Sequence, residues 1–93
     1  MISRQGDRLV VDGPVTFATV GKLLAQDPGA GSGALVVDLA GVTAADSAAL
    51  GLLLDLVRRA RAAGRNIEFV NAGAGLLSLA QLYGVADLIP LRA

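Results

Sequence analysis

A short run of small residues leading into an aliphatic helix restricts the fold of this chain more than any other feature. Residues 42–45 read Val-Thr-Ala-Ala, and Asp46 and Ser47 precede the apolar run 48–54. Asp46 suits a helix N-cap, because its carboxylate can accept from backbone N–H groups that lack an intrahelical partner. Ser47 then occupies the first helical position, where the helix dipole presents partial positive charge. Because its neighbours are too small to hide the hydroxyl, the pattern favours a docking point or a phosphorylation site over a catalytic one.

The segments on either side of this loop predict a sheet with helices packed on it. Residues 34–39 form an uninterrupted aliphatic run, which is the pattern of a strand buried on both faces. A helix is expected over residues 47–63 with Gly64 at its C-terminal end, followed by a strand over residues 66–71. Strand–helix–strand order with right-handed crossovers gives a mixed, mostly parallel sheet. We therefore expect an α/β fold.

The N-terminal quarter predicts a hairpin and a helix. Residues 2–5 and 8–13 are expected to pair as antiparallel strands, with a turn at Gly13. A helix is expected over residues 14–26, because Phe17 and the apolar residues after it recur near helical spacing. Thr16 is the predicted N-cap of this helix.

The remaining segments complete one domain. Residues 29–33, Gly-Ala-Gly-Ser-Gly, predict a flexible loop. A last helix is expected over about residues 75–83, before a short apolar segment over residues 85–91. Since no internal repeat appears, residues 1–93 are expected to form a single domain.

Composition excludes several classes of function. Eight basic residues balance eight acidic ones, so there is no basic face for nucleic acid. The chain has no Cys and no His, which excludes zinc sites of the Cys/His type and catalysis by imidazole. No apolar run approaches the ~20 residues that cross a bilayer. We therefore expect a cytoplasmic protein that does not insert into the membrane.

The candidate catalytic and ligand-binding residues lack the context that such chemistry needs. The glycines of residues 29–33 precede a strand, whereas a phosphate loop precedes a helix. Those of residues 73–78 open a helix, but the third glycine of a dinucleotide fingerprint is replaced by serine. Ser47 has no His or Lys near it in sequence to activate it, and Asp38 and Asp46 are two isolated carboxylates. We predict no catalytic residue, no metal and no cofactor.

The helix predicted over residues 47–63 has two distinct faces. At about 100° per residue, one side must face the sheet. The other side combines small residues, an apolar knob at Leu54 and a charged end, which is typical of a docking face. The sheet side contains Ala49, Leu53, Leu56, Val57 and Ala60. The predicted partner-binding residues are Asp46, Ser47, Ala48, Gly51, Leu54, Asp55 and Arg58.

The central strand, the loop and the helix start resemble those of STAS domains. The residues that carry the likeness are Val36-Val37-Asp38-Leu39, Val42, Asp46-Ser47 and Leu50, with Ala49 at a position where the family usually has glycine. The likeness extends over about residues 9–90. It implies a STAS-like single domain with a mixed, mostly parallel sheet and packed helices.

Two further segments resemble one branch of that family. Residues 13–20 are similar to the strand-to-helix entry of the MlaB-type subunit of phospholipid-trafficking ABC transporters, and residues 79–90 to its C-terminal helix and tail. Such a subunit is non-catalytic and cytoplasmic, and it is peripheral to the inner membrane through its complex. It binds and stabilises the transporter's ATPase, and through it the permease, in a system that maintains outer-membrane lipid asymmetry. The resemblance also implies an alternative, an anti-sigma-factor antagonist phosphorylated on Ser47.

Overall fold

Four strands form one mixed sheet in the order β1-β2-β3-β4. The structure is a computed structural model that describes residues 2–24 and 33–92. β1 and β2 form an antiparallel hairpin, and β2–β3 and β3–β4 are parallel pairs. The expected α/β fold with a mostly parallel sheet is confirmed, whereas the predicted loop over residues 29–33 lies almost wholly outside the described residues. The strands are β1 (Ile2–Gln5), β2 (Arg8–Val15), β3 (Leu35–Ala45) and β4 (Ile67–Val70), and the helices are α1 (Val20–Leu24), α2 (Ser47–Ala62) and α3 (Ala74–Leu82).

The helices cover one face of the sheet. Buried side chains alternate with half-buried ones along β2 and β3, because successive side chains of a strand point to opposite faces. On the other face, Val10, Val36 and Val70 are only half-buried. The prediction that the central strand is buried on both faces is therefore wrong. The core contains Leu9 and Val11 of β2, Leu35, Val37 and Leu39 of β3, Phe69 of β4, and Leu52, Leu53 and Leu56 of α2.

The hairpin strand β2 extends past the turn predicted at Gly13. Gly13 has a φ of +85° where the pairing of β2 with β3 shifts register, a backbone conformation that glycine adopts readily. Pro14 is tolerated because β1 pairs with β2 only as far as Val11, which leaves an edge beyond it. The Gly-Pro pair thus marks an irregular strand rather than its end.

The helix predicted over residues 14–26 is wrong at its start, and its predicted end lies outside the described residues. α1 begins at Val20, and residues 16–19 form a turn. The Thr19 hydroxyl donates to the Pro14 carbonyl at 2.8 Å and accepts from the Thr16 N–H at 3.0 Å. Thr19 rather than Thr16 therefore supplies the side chain that ends the strand and begins the helix.

β3 is longer than the sequence predicted. Residues 42–45, expected to form a loop, continue the strand and pair with residues 13–15 of β2. Gly41 lies close to β2, because a Cβ atom there would overlap the Asp12 carboxylate and lie 3.2 Å from the Val11 carbonyl oxygen. The pairing with β2 therefore extends the sheet to the residue before Asp46, at the start of α2.

A buried arginine ties the hairpin to the entry of β4. The Arg65 side chain is 3% exposed and donates to the Gly33 carbonyl at 2.8 Å and to Asp7 Oδ1 at 2.9 Å. Those two acceptors lie far from Arg65 in sequence, so the guanidinium joins three loops at the N-terminal end of β3.

Within the described ranges, no helix is long and apolar enough to cross a membrane.

Candidate functional site

Asp46 caps α2 as the sequence predicts. Its backbone is extended, and its Oδ1 atom accepts from the Ala48 N–H at 2.8 Å. Because β3 runs directly into this residue, the strand end and the helix start share one fixed backbone. The position of Ser47, the first residue of α2, follows from that cap.

The second oxygen of Asp46 holds a different part of the chain. Oδ2 accepts from the backbone N–H of Phe17 at 3.2 Å, and the Asp46 N–H lies 3.4 Å from the Val15 carbonyl oxygen. The carboxylate therefore fastens the turn between β2 and α1 to the start of α2. Asp46 remains a predicted partner-binding residue. Both of its oxygens accept hydrogen bonds from within the chain, so the carboxylate also positions the residues around it.

Phe17 is the functional candidate that sequence reasoning missed. Its residue surface is 74% exposed, although its place in an apolar series predicted a helical core residue. The turn that carries it is fixed by the Thr19 hydroxyl and by the Val20 N–H, which donates to the Thr16 carbonyl at 2.8 Å. The result is an exposed aromatic residue on a hydrogen-bonded turn that the Asp46 carboxylate joins to the start of α2.

The small residues at the start of α2 are exposed to different extents. Ser47 is half-buried, and its hydroxyl makes no hydrogen bond with any described residue. Gly51 is exposed, and a Cβ atom added there would meet no atom within 4 Å. Ala48 is only 8% exposed and Leu54 is half-buried against the core. Ala48 and Leu54 are therefore less exposed than the predicted docking face implies.

At the charged end of the predicted face, Arg58 is the one largely exposed charged side chain. The Asp55 side chain is 14% exposed and pairs with Arg58 and with Arg59, whose Nε lies 2.8 Å from Oδ2. The Arg58 side chain is 76% exposed. Because Asp55 is neutralised by its own helix, Arg58 is the charge that this end of the face presents to solvent.

Asp38 belongs to a separate polar cluster. Its Oδ1 accepts from Asn71 Nδ2 at 3.0 Å and from the Ala40 N–H at 2.9 Å, and its Oδ2 pairs with Arg8 at 2.8 Å. These three donors lower the pKa of Asp38 to about 2, and the hydrogen bond from the Asn71 amide has the largest effect. Both oxygens of this carboxylate are therefore satisfied by donors of the chain itself. The described part of the chain contains no group of three or more His, Cys, Asp or Glu side chains placed to hold a metal.

This fold is shared with solved structures, among them the following two. A protein of Thermotoga maritima described as an anti-sigma factor antagonist aligns over 100% of this chain and 85% of its own, with 11% identity and a TM-score of 0.72. The anti-sigma factor antagonist SpoIIAA, in its unphosphorylated form, aligns over 100% of this chain and 86% of its own, with 16% identity and a TM-score of 0.74. At these identities the likeness establishes the fold.

Sequence comparison identifies the family. No curated protein matches the chain significantly. The family model described as "Mlab, STAS domain" matches residues 1–90. Because that match leaves out only the last three of the 93 residues, the chain belongs to the Mlab STAS-domain family.

Proposed function

We propose that this chain is a non-catalytic interaction domain that binds and stabilises the ATPase of a phospholipid ABC transporter. The binding surface, called here the α2 surface, consists of Phe17, Ser47, Gly51, Leu54 and Arg58. The observation that carries the proposal is the Asp46 carboxylate, which fixes the exposed Phe17 turn and the start of α2 with its two oxygens. A surface held in one arrangement before binding loses little conformational entropy when a partner docks.

The residue types of the α2 surface fit a protein partner. An exposed aromatic ring on a fixed turn can fill a pocket of the partner as an anchor, and Arg58 can form an ion pair at the rim. Gly51 costs a helix interior about 1 kcal/mol relative to alanine. Since no described neighbour outside the helix backbone requires a glycine there, close approach of a partner is the physical reason we assign to it.

The choice of partner rests on the family. The matching model is described as Mlab, and residues 13–20 and 79–90 resemble the MlaB-type transporter subunit. In this proposal the chain works in the cytoplasm and reaches the inner membrane through the ATPase and the permease. It needs no cofactor, metal or nucleic acid.

The second candidate function is that of an anti-sigma-factor antagonist phosphorylated on Ser47. The two structural neighbours named above are described as anti-sigma factor antagonists. The half-buried Ser47 hydroxyl, without a hydrogen bond to any described residue, is the observation that favours it. In this alternative the α2 surface binds an anti-sigma kinase.

Co-purification with the transporter ATPase of the same organism tests the first proposal. Gly51→Arg places a long charged side chain on the α2 surface, whereas Ala62→Arg places the same side chain at the exposed far end of α2. We expect the wild type and Ala62→Arg to retain the ATPase and Gly51→Arg to lose it. Equal yields for the two variants, or no ATPase with the wild type, would contradict the proposal. Phosphate transfer to Ser47 by the organism's anti-sigma kinase would favour the alternative.

A further inference from the structure

The C-terminal half of β3 has a strand on one side only. β4 pairs with residues 35–38, whereas β2 accompanies β3 as far as Ala45. The last residues of the described chain do not fill the gap, because residues 90–92 lie along the other edge of β4, with the Phe69 N–H donating to the Pro90 carbonyl at 3.0 Å. Among the described residues, the edge of β3 over residues 41–45 therefore has no strand partner on its β4 side.

This open edge forms one wall of a groove of about 450 Å³. The volume lies within the range of about 300–1,000 Å³ that ligand-sized pockets occupy. Thr43 supplies the single side-chain hydroxyl, and the described lining residues carry no charge. The strand wall contains Leu39, Val42, Thr43, Ala44 and Ala45, and the wall at the start of α3 contains Gly73, Gly75, Leu76 and Leu79.

The two walls are not joined to each other. No backbone hydrogen bond crosses the groove between the described residues of the strand and those of α3. Gly73 and Gly75 face open space, since a Cβ atom at either would meet nothing within 4 Å. Backbone N–H and C=O groups at an open strand edge are obligatory hydrogen-bonding groups, and a second backbone can satisfy them in register.

We infer that this groove binds an extended, uncharged segment of a partner protein as an additional strand beside residues 41–45. Main-chain hydrogen bonds to the β3 edge hold the segment, and the apolar lining receives its alternate side chains. At roughly 3.3 Å per residue, the open edge fits a segment of about five residues. The absence of charge in the described lining selects against acidic and basic side chains facing inwards. The groove shares no residue with the α2 surface, so this inference stands whatever partner α2 binds.

Selection of short random peptides displayed on phage against the full chain supplies the probe. The best binder is synthesised unmodified and with N-methyl groups at alternate residues, which remove hydrogen-bond donors from one edge. We expect the unmodified peptide to shift the backbone amide resonances of residues 41–45 and 73–79. N-methylation should weaken its binding by about tenfold or more, because two or more hydrogen bonds are lost.

Three results would overturn the inference. One is a library that yields no binder, and another is a set of shifts confined to the α2 surface. The third is equal affinity of the N-methylated peptide, which would indicate an apolar ligand site rather than strand addition.

A matched pair of variants tests the position of the groove. Gly75→Leu adds an apolar side chain to the lining of the groove at a position where a Cβ atom meets nothing within 4 Å, and leucine favours the helix more than glycine does. Ser78→Leu adds leucine at an exposed position of α3 outside the lining. We expect Gly75→Leu to lose at least tenfold in peptide affinity with an unchanged or higher Tm, and Ser78→Leu to bind as the wild type. Gly51→Arg should also bind the peptide normally, which separates this site from the α2 surface. Unchanged affinity in Gly75→Leu would contradict the inference.

Discussion

The backbone N–H of Phe17 donates to the Asp46 carboxylate across 29 residues of sequence, at 3.2 Å. The same carboxylate caps α2 through the Ala48 N–H. One side chain therefore holds both the start of the helix that carries Ser47 and the turn that carries the exposed Phe17. A change at Asp46 should disturb the two together.

Replacing Asp46 with alanine should lower the free energy of unfolding by about 1–2 kcal/mol, because an N-cap is lost together with the acceptor for the Phe17 N–H. Chemical denaturation measures this loss. Hydrogen exchange at the Phe17 amide should accelerate in the folded variant by more than at amides of the sheet core. An unchanged exchange rate at Phe17 would contradict the positioning role of Asp46.

Asparagine at position 46 is the matched control. It caps a helix about as well as aspartate, but it has one acceptor oxygen in place of two. Asp46→Asn should therefore keep most of the stability while the Phe17 amide still exchanges faster. In this pair of variants, the unfolding free energy reports the helix cap, and hydrogen exchange at Phe17 reports the bond to its N–H.

Gly51→Ala should stabilise the domain by up to about 1 kcal/mol, since alanine is the better helix former and its methyl group meets no atom within 4 Å. The same methyl group should weaken partner binding if a partner backbone approaches closely at this point. Thermal denaturation and the co-purification yield measure the two effects. A loss of stability would show that the site is tighter than the structure indicates.

The parts of the fold that the sequence predicted correctly are those governed by local periodicity and capping. Helical spacing identified Leu53, Leu56 and Ala60 as the core side of α2, and all three are buried. The N-cap at Asp46 follows from local chemistry in the same way. The apolar run of the central strand gave its position along the chain, although not its length or its half-buried second face.

The features that were predicted wrongly depend on contacts between distant segments. Gly13 and Pro14 have the composition of a turn, and only the neighbouring edge of β3 keeps them in a strand. Phe17 belongs to an apolar series, and its exposure follows from the Thr19 hydroxyl and the Asp46 carboxylate. Leu54 faces away from the sheet on a helical wheel, yet it packs against the core. Pairings of this kind leave no periodic signal in one sequence.

Arg65→Ala should lower the free energy of unfolding by about 2–3 kcal/mol. The buried guanidinium donates to Asp7 and to the Gly33 carbonyl, and its removal takes away both hydrogen bonds. Arg61→Ala is the matched control, since Arg61 is exposed on the last turn of α2. That change should stay within about 0.5 kcal/mol. Urea titrations of the two variants give the comparison. Equal losses of unfolding free energy would contradict the role of Arg65 in joining the three loops.

Asp38 should make stability depend on pH in acid. Hydrogen bonds from Asn71, from the Ala40 N–H and from Arg8 lower its pKa from 3.8 to about 2 in the folded chain. A carboxylate whose pKa is lowered by folding stabilises the fold at every pH above its pKa in the unfolded chain. This stabilisation is lost as the pH falls from about 4 to about 2. Asp38→Asn should be less stable at neutral pH and should show a shallower decline across that window. Denaturation midpoints of the wild type and the variant between pH 2 and 7 measure this difference. Parallel pH dependences would contradict the lowered pKa of Asp38.

Ser47→Asp should spare the fold and damage the complex. Negative charge at a helix N-terminus is favourable by ~0.3–1 kcal/mol, and the adjacent Asp46 carboxylate offsets part of that gain. We therefore expect the free energy of unfolding to stay within about 0.5 kcal/mol of the wild type. At a partner interface the same charge is desolvated without a counter-ion, which costs several kcal/mol. Denaturation and co-purification with the transporter ATPase measure the two effects on one variant.

Ser47→Thr is the control for this prediction, because it keeps the hydroxyl and adds one methyl group. It should co-purify with the ATPase at or near the wild-type yield, whereas Ser47→Asp should lose the ATPase at equal stability. If Ser47→Asp retained the ATPase at the wild-type yield, Ser47 would lie outside the interface. The α2 surface would then keep Phe17 and Gly51 as its testable contacts, and the transporter proposal would lose its central residue.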